Sequence, residues 1–159
     1  MSEVNLKIRR ALPGESDTLT KIAFAAKRHW HYPEEWIALW QDSLTITDAY
    51  FADHQVFVAE TRDTIAGFYA LVQTTDAWEL DHLWIDPDFM GRGIGRALFT
   101  HAIQQLKLAA PGAILDIEAD PNAESFYLHM GAKRIGEISR DWQGLIRTLP
   151  HLRFAIEAG

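Results

Sequence analysis

Three alternating glycines, Gly91, Gly93 and Gly95, follow a predicted strand and lie at the start of a predicted helix. Glycines let the backbone approach a ligand closely, and the first N–H groups of a helix point outward unpaired at the positive end of its dipole. Arg92 and Arg96 add two cations that can donate to phosphate oxygens. The segment therefore favours a pyrophosphate-binding loop, with a tight packing turn as the structural alternative.

Two common nucleotide-binding loops do not fit this spacing. A Walker A loop has Gly-Lys-Ser/Thr where this chain has Gly95, Arg96 and Ala97. A Rossmann fingerprint needs Gly-x-Gly-x-x-Gly after a first strand, and the glycines here are spaced differently and lie in mid-chain after a predicted hairpin. A phosphate-loop nucleotide hydrolase is therefore excluded.

Two carboxylates, Glu79 and Asp81, precede the glycine loop on one predicted strand. Because side chains alternate along a strand, we expect both to share a side with Leu83 and Ile85, and His82 to face the opposite side. A carboxylate placed there could take a proton from an attacking group, or could only attract a cation or hold a hydrogen bond. His82 is expected to be a satisfied, half-buried histidine.

The elements that position these residues follow from hydrophobic periodicity and from turn residues. Strands are predicted at residues 6–9, 55–60, 64–73, 78–85, 113–117, 133–138 and 152–156. Helices are predicted at residues 13–30, from Pro33 to about residue 40, and at 47–51, 91–109 and 122–130. Hairpins in the first half and a strand–helix–strand unit in the second indicate a mixed sheet with helices, an α/β or α+β fold, with a right-handed crossover through the 91–109 helix.

Composition limits the classes of function. The 159 residues suggest one domain, and the absence of cysteine excludes disulfides, thiolate metal sites and a cysteine nucleophile. The net charge of −7 disfavours binding to nucleic acid. The longest apolar run, residues 65–72, is far short of the ~20 residues that span a bilayer, so no membrane association is expected.

Two further expectations rest on what the chain lacks. His29 and His31 are close in sequence, but no third ligand is suggested, so we predict no metal site. The first seven residues have no apolar leader region, which makes a cytoplasmic location the default expectation.

The segment from Met90 to Gly95 resembles the loop Gln/Arg-x-x-Gly-x-Gly/Ala of the GCN5-related N-acetyltransferase (GNAT) superfamily. Gly93 and Gly95 match the motif, and Met90 departs from it. A second segment, residues 120–132, resembles the family's Asn-x-x-Ala-x-x-x-Tyr-x-x-x-Gly-Phe. Matches in that segment are Ala123, Tyr127 and Gly131, whereas Asp120 replaces Asn and Ala132 replaces Phe.

The resemblance extends over nearly the whole chain and implies one acetyltransferase domain, residues 1–159, with a central mixed, splayed sheet flanked by helices. It implies acetyl-CoA as the donor and a primary amine of a small molecule or peptide as the acceptor, by direct attack. The resemblance places the pyrophosphate on backbone N–H groups of five residues: Arg92, Gly93, Ile94, Gly95 and Arg96. It places the pantetheine arm along Leu83 and Ile85 like an added strand, with the N–H of Leu83 polarising the acetyl carbonyl.

The same resemblance implies catalytic roles. Glu79 matches the general base of the histone-acetylating members, with Asp81 as the second candidate, and Tyr127 matches the general acid that protonates the departing thiolate. Each has a structural alternative: a hydrogen bond or cation attraction for the acids, core packing for Tyr127. Asn122 is expected to hold a water or a cofactor amide, or else to cap a helix.

Trp30, Tyr32 and Trp36, with Trp40 beside them, fall where the family builds its acceptor pocket, and could form aromatic walls for a cationic or ring-bearing acceptor. Core or dimer contacts are the alternative, and a homodimer is possible. The competing function is a non-catalytic acyl-CoA sensor or interaction module. Fold alone does not identify the acceptor.

Overall fold

The computed structural model of the protein describes residues 5–158. Met1 to Val4, which belong to the N-terminal segment predicted to hold no leader, and Gly159 lie outside the described residues. The strands of the described part are β1 (Leu6–Arg10), β2 (Gln55–Thr61), β3 (Thr64–Gln73), β4 (Trp78–Ile85), β5 (Ile114–Glu118), β6 (Lys133–Trp142) and β7 (Leu145–Ala155). Its α-helices are α1 (Ser16–His29), α2 (Glu34–Leu39), α3 (Gln41–Leu44), α4 (Asp48–Asp53), α5 (Ile94–Ala109) and α6 (Glu124–His129).

The strands form one seven-stranded mixed sheet in the order β1-β2-β3-β4-β5-β7-β6. The pair β4–β5 is parallel, and α5 connects the two strands, as the sequence predicts. Their pairing is limited to Trp78 with Leu115 and Glu79 with Asp116, after which the strands diverge. The expected mixed, splayed sheet flanked by helices is confirmed.

Apolar side chains from the helices cover both faces of the sheet. On one face, α5 buries Leu98 and Phe99 against the sheet core. On the other face, α1 buries Leu19 and Ile22 against Phe68 of β3. Each such side chain contributes roughly 1.5–3 kcal/mol through removal from water, so this burial stabilises the packing of both helices against the sheet.

A β-bulge in β4 changes the side that its side chains face. Ala70 of β3 pairs with His82, whereas the next residue, Leu71, pairs with Leu80, so Asp81 is the extra residue. The extra residue shifts the alternation of side chains along β4 by one position, so residues before and after Asp81 do not follow one continuous pattern. The expectation that Glu79 and Asp81 share a side with Leu83 and Ile85, and that His82 faces away from Glu79, is wrong.

The register gives the actual assignment. Glu79 lies opposite Val72, and His82 lies opposite Ala70, so the two side chains stand on the same face of the sheet. Leu83 and Ile85 pack into the core on the α5 face.

Several predicted boundaries also shift. α5 begins at Ile94 rather than at Gly91, because Gly91 and Gly93 both have a φ of +80° and cannot be helical. α1 begins at Ser16 rather than Pro13, after a turn in which Gly14 has a φ of +94°. The predicted helix from Pro33 is divided into α2 and α3.

The last two strands are longer than predicted. β6 and β7 form a hairpin of 10 and 11 residues, joined by Gln143 and Gly144, both with positive φ. β6 is an edge strand whose residues are mostly exposed, so its side chains lack the apolar alternation that marks a half-buried strand. None of the helices within residues 5–158 has the length and apolarity needed to cross a membrane.

Candidate active site

The loop after β4 presents the N-terminus of α5. Gly93 is the residue before the helix, and the first helical hydrogen bond joins the N–H of Ala97 to its carbonyl oxygen at 3.1 Å. The N–H groups of Ile94, Gly95 and Arg96 therefore precede the helical ladder and have no partner within the helix. The first turn holds no acidic residue, so the helix dipole is uncompensated and suits an anion.

Glycine is needed at positions 93 and 95 of the loop for two different structural reasons. At Gly93 a Cβ would meet no atom within 4 Å, so the left-handed backbone conformation, and not crowding, requires glycine there. At Gly95 a Cβ would lie 3.7 Å from the ring of Phe126 and 3.8 Å from the side chain of Ile85. Gly95 thus brings the start of α5 close to α6 and β4, and the space in front of Gly93 remains open.

Four carboxylates line a cleft of about 390 Å³ where β4 and β5 diverge: Glu79, Asp81, Asp116 and Glu118. Two of them are neutralised. Arg140 donates to both oxygens of Glu118, with Nε at 3.0 Å, and Arg153 donates to Asp116 at 2.7 Å. Glu79 has no ion-pair partner among residues 5–158.

The environment of Glu79 favours its protonated form. Partial burial raises the pKa of the Glu79 carboxyl, and the charges of Glu118, Asp81 and Asp116 raise it further, whereas Arg140 opposes the shift. A carboxylate with a raised pKa is a better proton acceptor than one at its ordinary value. The cleft thus holds one side chain suited to general-base chemistry.

Asp81, in the bulge, lies beside the side chains of Tyr50 and His82. Its Oδ2 accepts from the Tyr50 hydroxyl at 2.5 Å and lies 3.6 Å from His82 Nε2. His82 Nδ1 accepts from Trp84 Nε1 at 2.9 Å, so a neutral ring carries its proton on Nε2. Burial lowers the pKa of His82, which keeps the ring uncharged at neutral pH. His82 is a buried, neutral histidine beside Asp81.

A second network joins α1 to the loop after β5. Lys27 Nζ lies 2.7 Å from Asp120 Oδ2, and the side chains of both residues are about nine-tenths buried. The Tyr32 hydroxyl donates to Asp120 at 3.0 Å, and the Asn122 side chain donates to Tyr32 and Asp120 at 3.1 and 3.0 Å. Burial lowers the pKa of Lys27, and Asp120 opposes that shift.

Asp120, and not Asn122, caps the short 3₁₀ turn that precedes α6, because its carboxylate accepts from the Asn122 N–H. Asn122 therefore contributes its amide group to the Lys27–Asp120 network. Its expected contact with a cofactor stays a prediction.

Three of the four aromatic residues singled out in the sequence come together. Tyr32, Trp36 and Trp40 have ring centroids 5.2–6.2 Å apart. Trp30 lies outside this group: it is 38% exposed and packs edge-on against His29. The three clustered rings are occupied by the protein's own cations, Lys27 and Arg147, which lie over them.

Sequence analysis did not single out Lys27 or Arg147. Lys27 lies four and eight residues after Ala23 and Leu19, on the buried stripe of α1, and a lysine on that stripe is a signal that could have been used. Arg147 lies in the part of β7 that was not predicted as a strand, so no periodicity marked it.

Tyr127 lies in α6 and is buried in the core beside Phe99 and Phe126, with ring centroids 5.9 and 5.2 Å away. Burial raises the pKa of its phenol, and the charge of Asp120 adds to the shift. The hydroxyl is therefore protonated at neutral pH and can act as a proton donor. Among residues 5–158 it has no hydrogen-bond partner, which leaves that donor available.

Comparison with known proteins shows the family of the chain. The family described as "Acetyltransferase (GNAT) domain" matches residues 52–131, a span that includes Glu79, the glycine loop and Tyr127. The chain is 31% identical over 124 residues to the peptidyl-lysine N-acetyltransferase YjaB of Salmonella typhimurium. The aligned region covers 68% of this chain and 81% of that protein.

Solved structures share the fold. A GCN5-related N-acetyltransferase of Rhodopseudomonas palustris matches with a TM-score of 0.77 at 20% identity, covering 94% of both chains. The PaiA N-acetyltransferase of Thermoplasma acidophilum, solved in complex with coenzyme A, matches with a TM-score of 0.74 at 19% identity, covering 94% of this chain and 98% of that chain.

The raised pKa of Glu79 predicts a stability effect. A group whose pKa is higher in the folded than in the unfolded state stabilises the fold below its unfolded pKa, and that stabilisation is lost as the pH rises through the folded pKa. Glu79→Gln should therefore raise Tm above that of the unchanged protein at about pH 7.5, with the gain disappearing below about pH 4, where Glu79 is protonated in both states.

Thermal unfolding across this pH range measures the effect. Asp63→Asn, in the exposed β2–β3 turn, is the matched control and should leave Tm unchanged. A lower Tm for Glu79→Gln at about pH 7.5 would show that the carboxylate is a stabilising partner instead.

Proposed function

The chain belongs to the acetyltransferase (GNAT) family and is an acetyl-CoA-dependent acetyltransferase, and on this basis we propose that it acetylates a primary amine. The observation that carries the proposal is the position of Glu79. It is a partly buried carboxylate without an ion-pair partner among the described residues, at the point where β4 and β5 separate. An amine acceptor needs such a group, because the ammonium form cannot attack until it loses a proton.

The glycine loop is the proposed binding site for the acetyl-CoA pyrophosphate. Its N–H groups from Arg92 to Arg96 lie at the uncompensated end of α5, and the space in front of Gly93 is open. Leu83 and Ile85 lie further along β4. Beyond Glu79, the edge of β4 that faces β5 has no residue pairs with that strand. That edge can accept the pantetheine arm as an added strand, with the Leu83 N–H toward the acetyl oxygen.

The proposed chemistry is a direct transfer. Acetyl-CoA supplies the thioester whose acetyl group moves to the acceptor. The amine nitrogen forms a bond to the acetyl carbon, and the carbon–sulfur bond breaks. Glu79, directly or through a water, takes the proton that the amine loses, and the Tyr127 hydroxyl gives its proton to the departing sulfur. Asp81, held by Tyr50, attracts the ammonium into the cleft.

The peptidyl-lysine activity named for the Salmonella relative makes a protein lysine one candidate acceptor, and a small-molecule amine is the other. A cytoplasmic location, a homodimer and the absence of metal and nucleic-acid partners stay predictions. A non-catalytic acyl-CoA sensor would bind acetyl-CoA but release no thiol when amines are added.

Gly93→Asp tests the loop. At ~100 times its dissociation constant, acetyl-CoA should stabilise the unchanged protein by about 2.7 kcal/mol. Gly93→Asp should abolish the corresponding rise in Tm, because it adds bulk and negative charge at the pyrophosphate site. Gly144→Asp is the control, since Gly144 also has a positive φ with open space around its Cβ position but lies in the β6–β7 turn. An undiminished Tm shift in Gly93→Asp would place the pyrophosphate elsewhere.

Glu79→Gln tests proton removal. Turnover measured by thiol release should fall ~10²–10⁴-fold near neutral pH, and the acetyl-CoA-induced Tm shift should persist. The defect should shrink as the pH rises, because free amine then forms without help. Asp81→Asn is the comparison, and it should mainly raise KM for the acceptor. A loss in Glu79→Gln that appears only in KM and does not vary with pH would assign Glu79 to binding.

Tyr127→Phe tests the proton donor. It keeps the ring and its packing and removes only the oxygen, so turnover should fall ~10²-fold or more with Tm nearly unchanged. Tyr127→Ala is the stability comparison and should cost roughly 3–5 kcal/mol through the cavity it leaves among Phe99 and Phe126. Full activity in Tyr127→Phe would show that Tyr127 only packs in the core and does not donate a proton.

A further inference from the structure

A second cleft, of about 250 Å³, adjoins the acidic one. It is bounded by α1, α3, β4 and β7, and it shares Asp81, Glu118 and Leu149 with the first cleft. Trp84 and Trp142 are among its walls. A group bound in the second cleft therefore lies beside Asp81 and can reach toward Glu79.

Five charged side chains line the second cleft, and most of them neutralise one another. Lys27 is paired with Asp120 at 2.7 Å, and Glu118 is paired with Arg140 from the first cleft. Asp81 and Arg147 are the two charged residues of this cleft that have no oppositely charged partner among residues 5–158. The partners of Asp81 are a neutral phenol and a neutral imidazole, which do not cancel its charge.

Arg147 is a partly buried guanidinium with no carboxylate within 4 Å among residues 5–158. Its Nη2 donates to the Tyr32 hydroxyl at 3.0 Å, and its Cζ lies 4.8 Å from the ring centroid of Tyr32 and 5.2 Å from that of Trp40. The aromatic rings hold the planar group in place, while a guanidinium has five N–H donors and only one is used here. Such a group matches the two oxygens of a carboxylate.

We infer that the acceptor is a free amino acid, with its ammonium group beside Asp81 and Glu79 and its carboxylate on Arg147. This inference rests on the proposed function. One uncompensated carboxylate and one uncompensated guanidinium in the same small cleft are complementary to one zwitterion. The volume lies just below the range of about 300–1,000 Å³ that is usual for ligand sites and suits a single amino acid, and the tryptophan walls favour an apolar or aromatic side chain.

The inference separates this chain from a peptidyl-lysine acetyltransferase. The side-chain amine of a lysine within a peptide carries no carboxylate to meet Arg147. The fixed cation then remains without an anion, and part of the recognition is lost. Arg147 is therefore proposed as a specificity-determining residue.

The test compares amino acids with acceptors that lack the carboxylate. Thiol release from saturating acetyl-CoA is measured with phenylalanine and methionine, with their carboxamides, and with a lysine-containing peptide. Rates are expressed per free amine, because the carboxamide amines are less basic. The unchanged protein should prefer each amino acid over its carboxamide by ~10-fold or more in kcat/KM, as expected for a charge-assisted pair.

Arg147→Gln should raise KM for the amino acids ~10-fold or more and leave KM for the carboxamides unchanged. The ratio of kcat/KM between each amino acid and its carboxamide should then be close to one. Arg147→Lys should restore part of it. The matched control is Arg62→Gln, in the exposed β2–β3 turn, which should leave the preference intact. Because the readout is a ratio between two acceptors, a loss of folded protein in Arg147→Gln does not imitate the expected result.

The outcomes distinguish the two proposals. If amines are acetylated but carboxamides or the peptide serve as well as the amino acids, or if Arg147→Gln keeps the preference, the inference is overturned and the proposed function stands. If no amine in the panel releases thiol, the proposed function fails and the inference fails with it.

Discussion

The early end of the pairing between β4 and β5 is the constraint on which the rest of the site depends. Only two residue pairs join these parallel strands, although each strand is also paired along its other edge, β4 with β3 and β5 with β7. Pairing with β3 holds β4 in place and pairing with β7 holds β5 in place, so the sheet stays continuous although β4 and β5 separate. The separation gives the molecule an opening in the middle of its sheet, with unpaired backbone along β4 and carboxylates of both strands around it.

The opening concentrates negative charge at a cost in stability. Glu79, Asp81, Asp116 and Glu118 meet in one cleft, and Arg140 and Arg153 compensate only part of that charge. A core optimised for stability would not leave Glu79 partly buried among like charges. The raised pKa that results is the property that a proton acceptor needs, so the strained electrostatics and the proposed chemistry have the same origin.

The Lys27–Asp120 pair shows the opposite arrangement. Two buried charges are matched at 2.7 Å, and Tyr32 and Asn122 satisfy the remaining carboxylate positions. The pair connects α1 to the segment that leads into α6, the helix of Tyr127. Lys27 and Arg147 both lie over the clustered aromatic rings, and among the charged residues of the second cleft only Asp81 and Arg147 have no oppositely charged partner within residues 5–158.

Sequence patterns and the family resemblance predict the fold class and the β4–α5–β5 unit, which the structure confirms, and a phosphate-suited loop, whose ligand stays a prediction. These predictions depend on local signals: periodicity within each element and the glycines at the junction of β4 and α5. The same local rules failed at Asp81, because a bulge depends on how β4 registers with β3, and alternation within β4 cannot reveal it. They also missed the last four residues of β6 and the first seven of β7, since those parts of the strands are defined by mutual hydrogen bonding rather than by an apolar face. Lys27 and Arg147 lie 120 positions apart in the chain, and only tertiary structure places both against Tyr32 and Trp40, because that contact depends on how α1 and β7 pack.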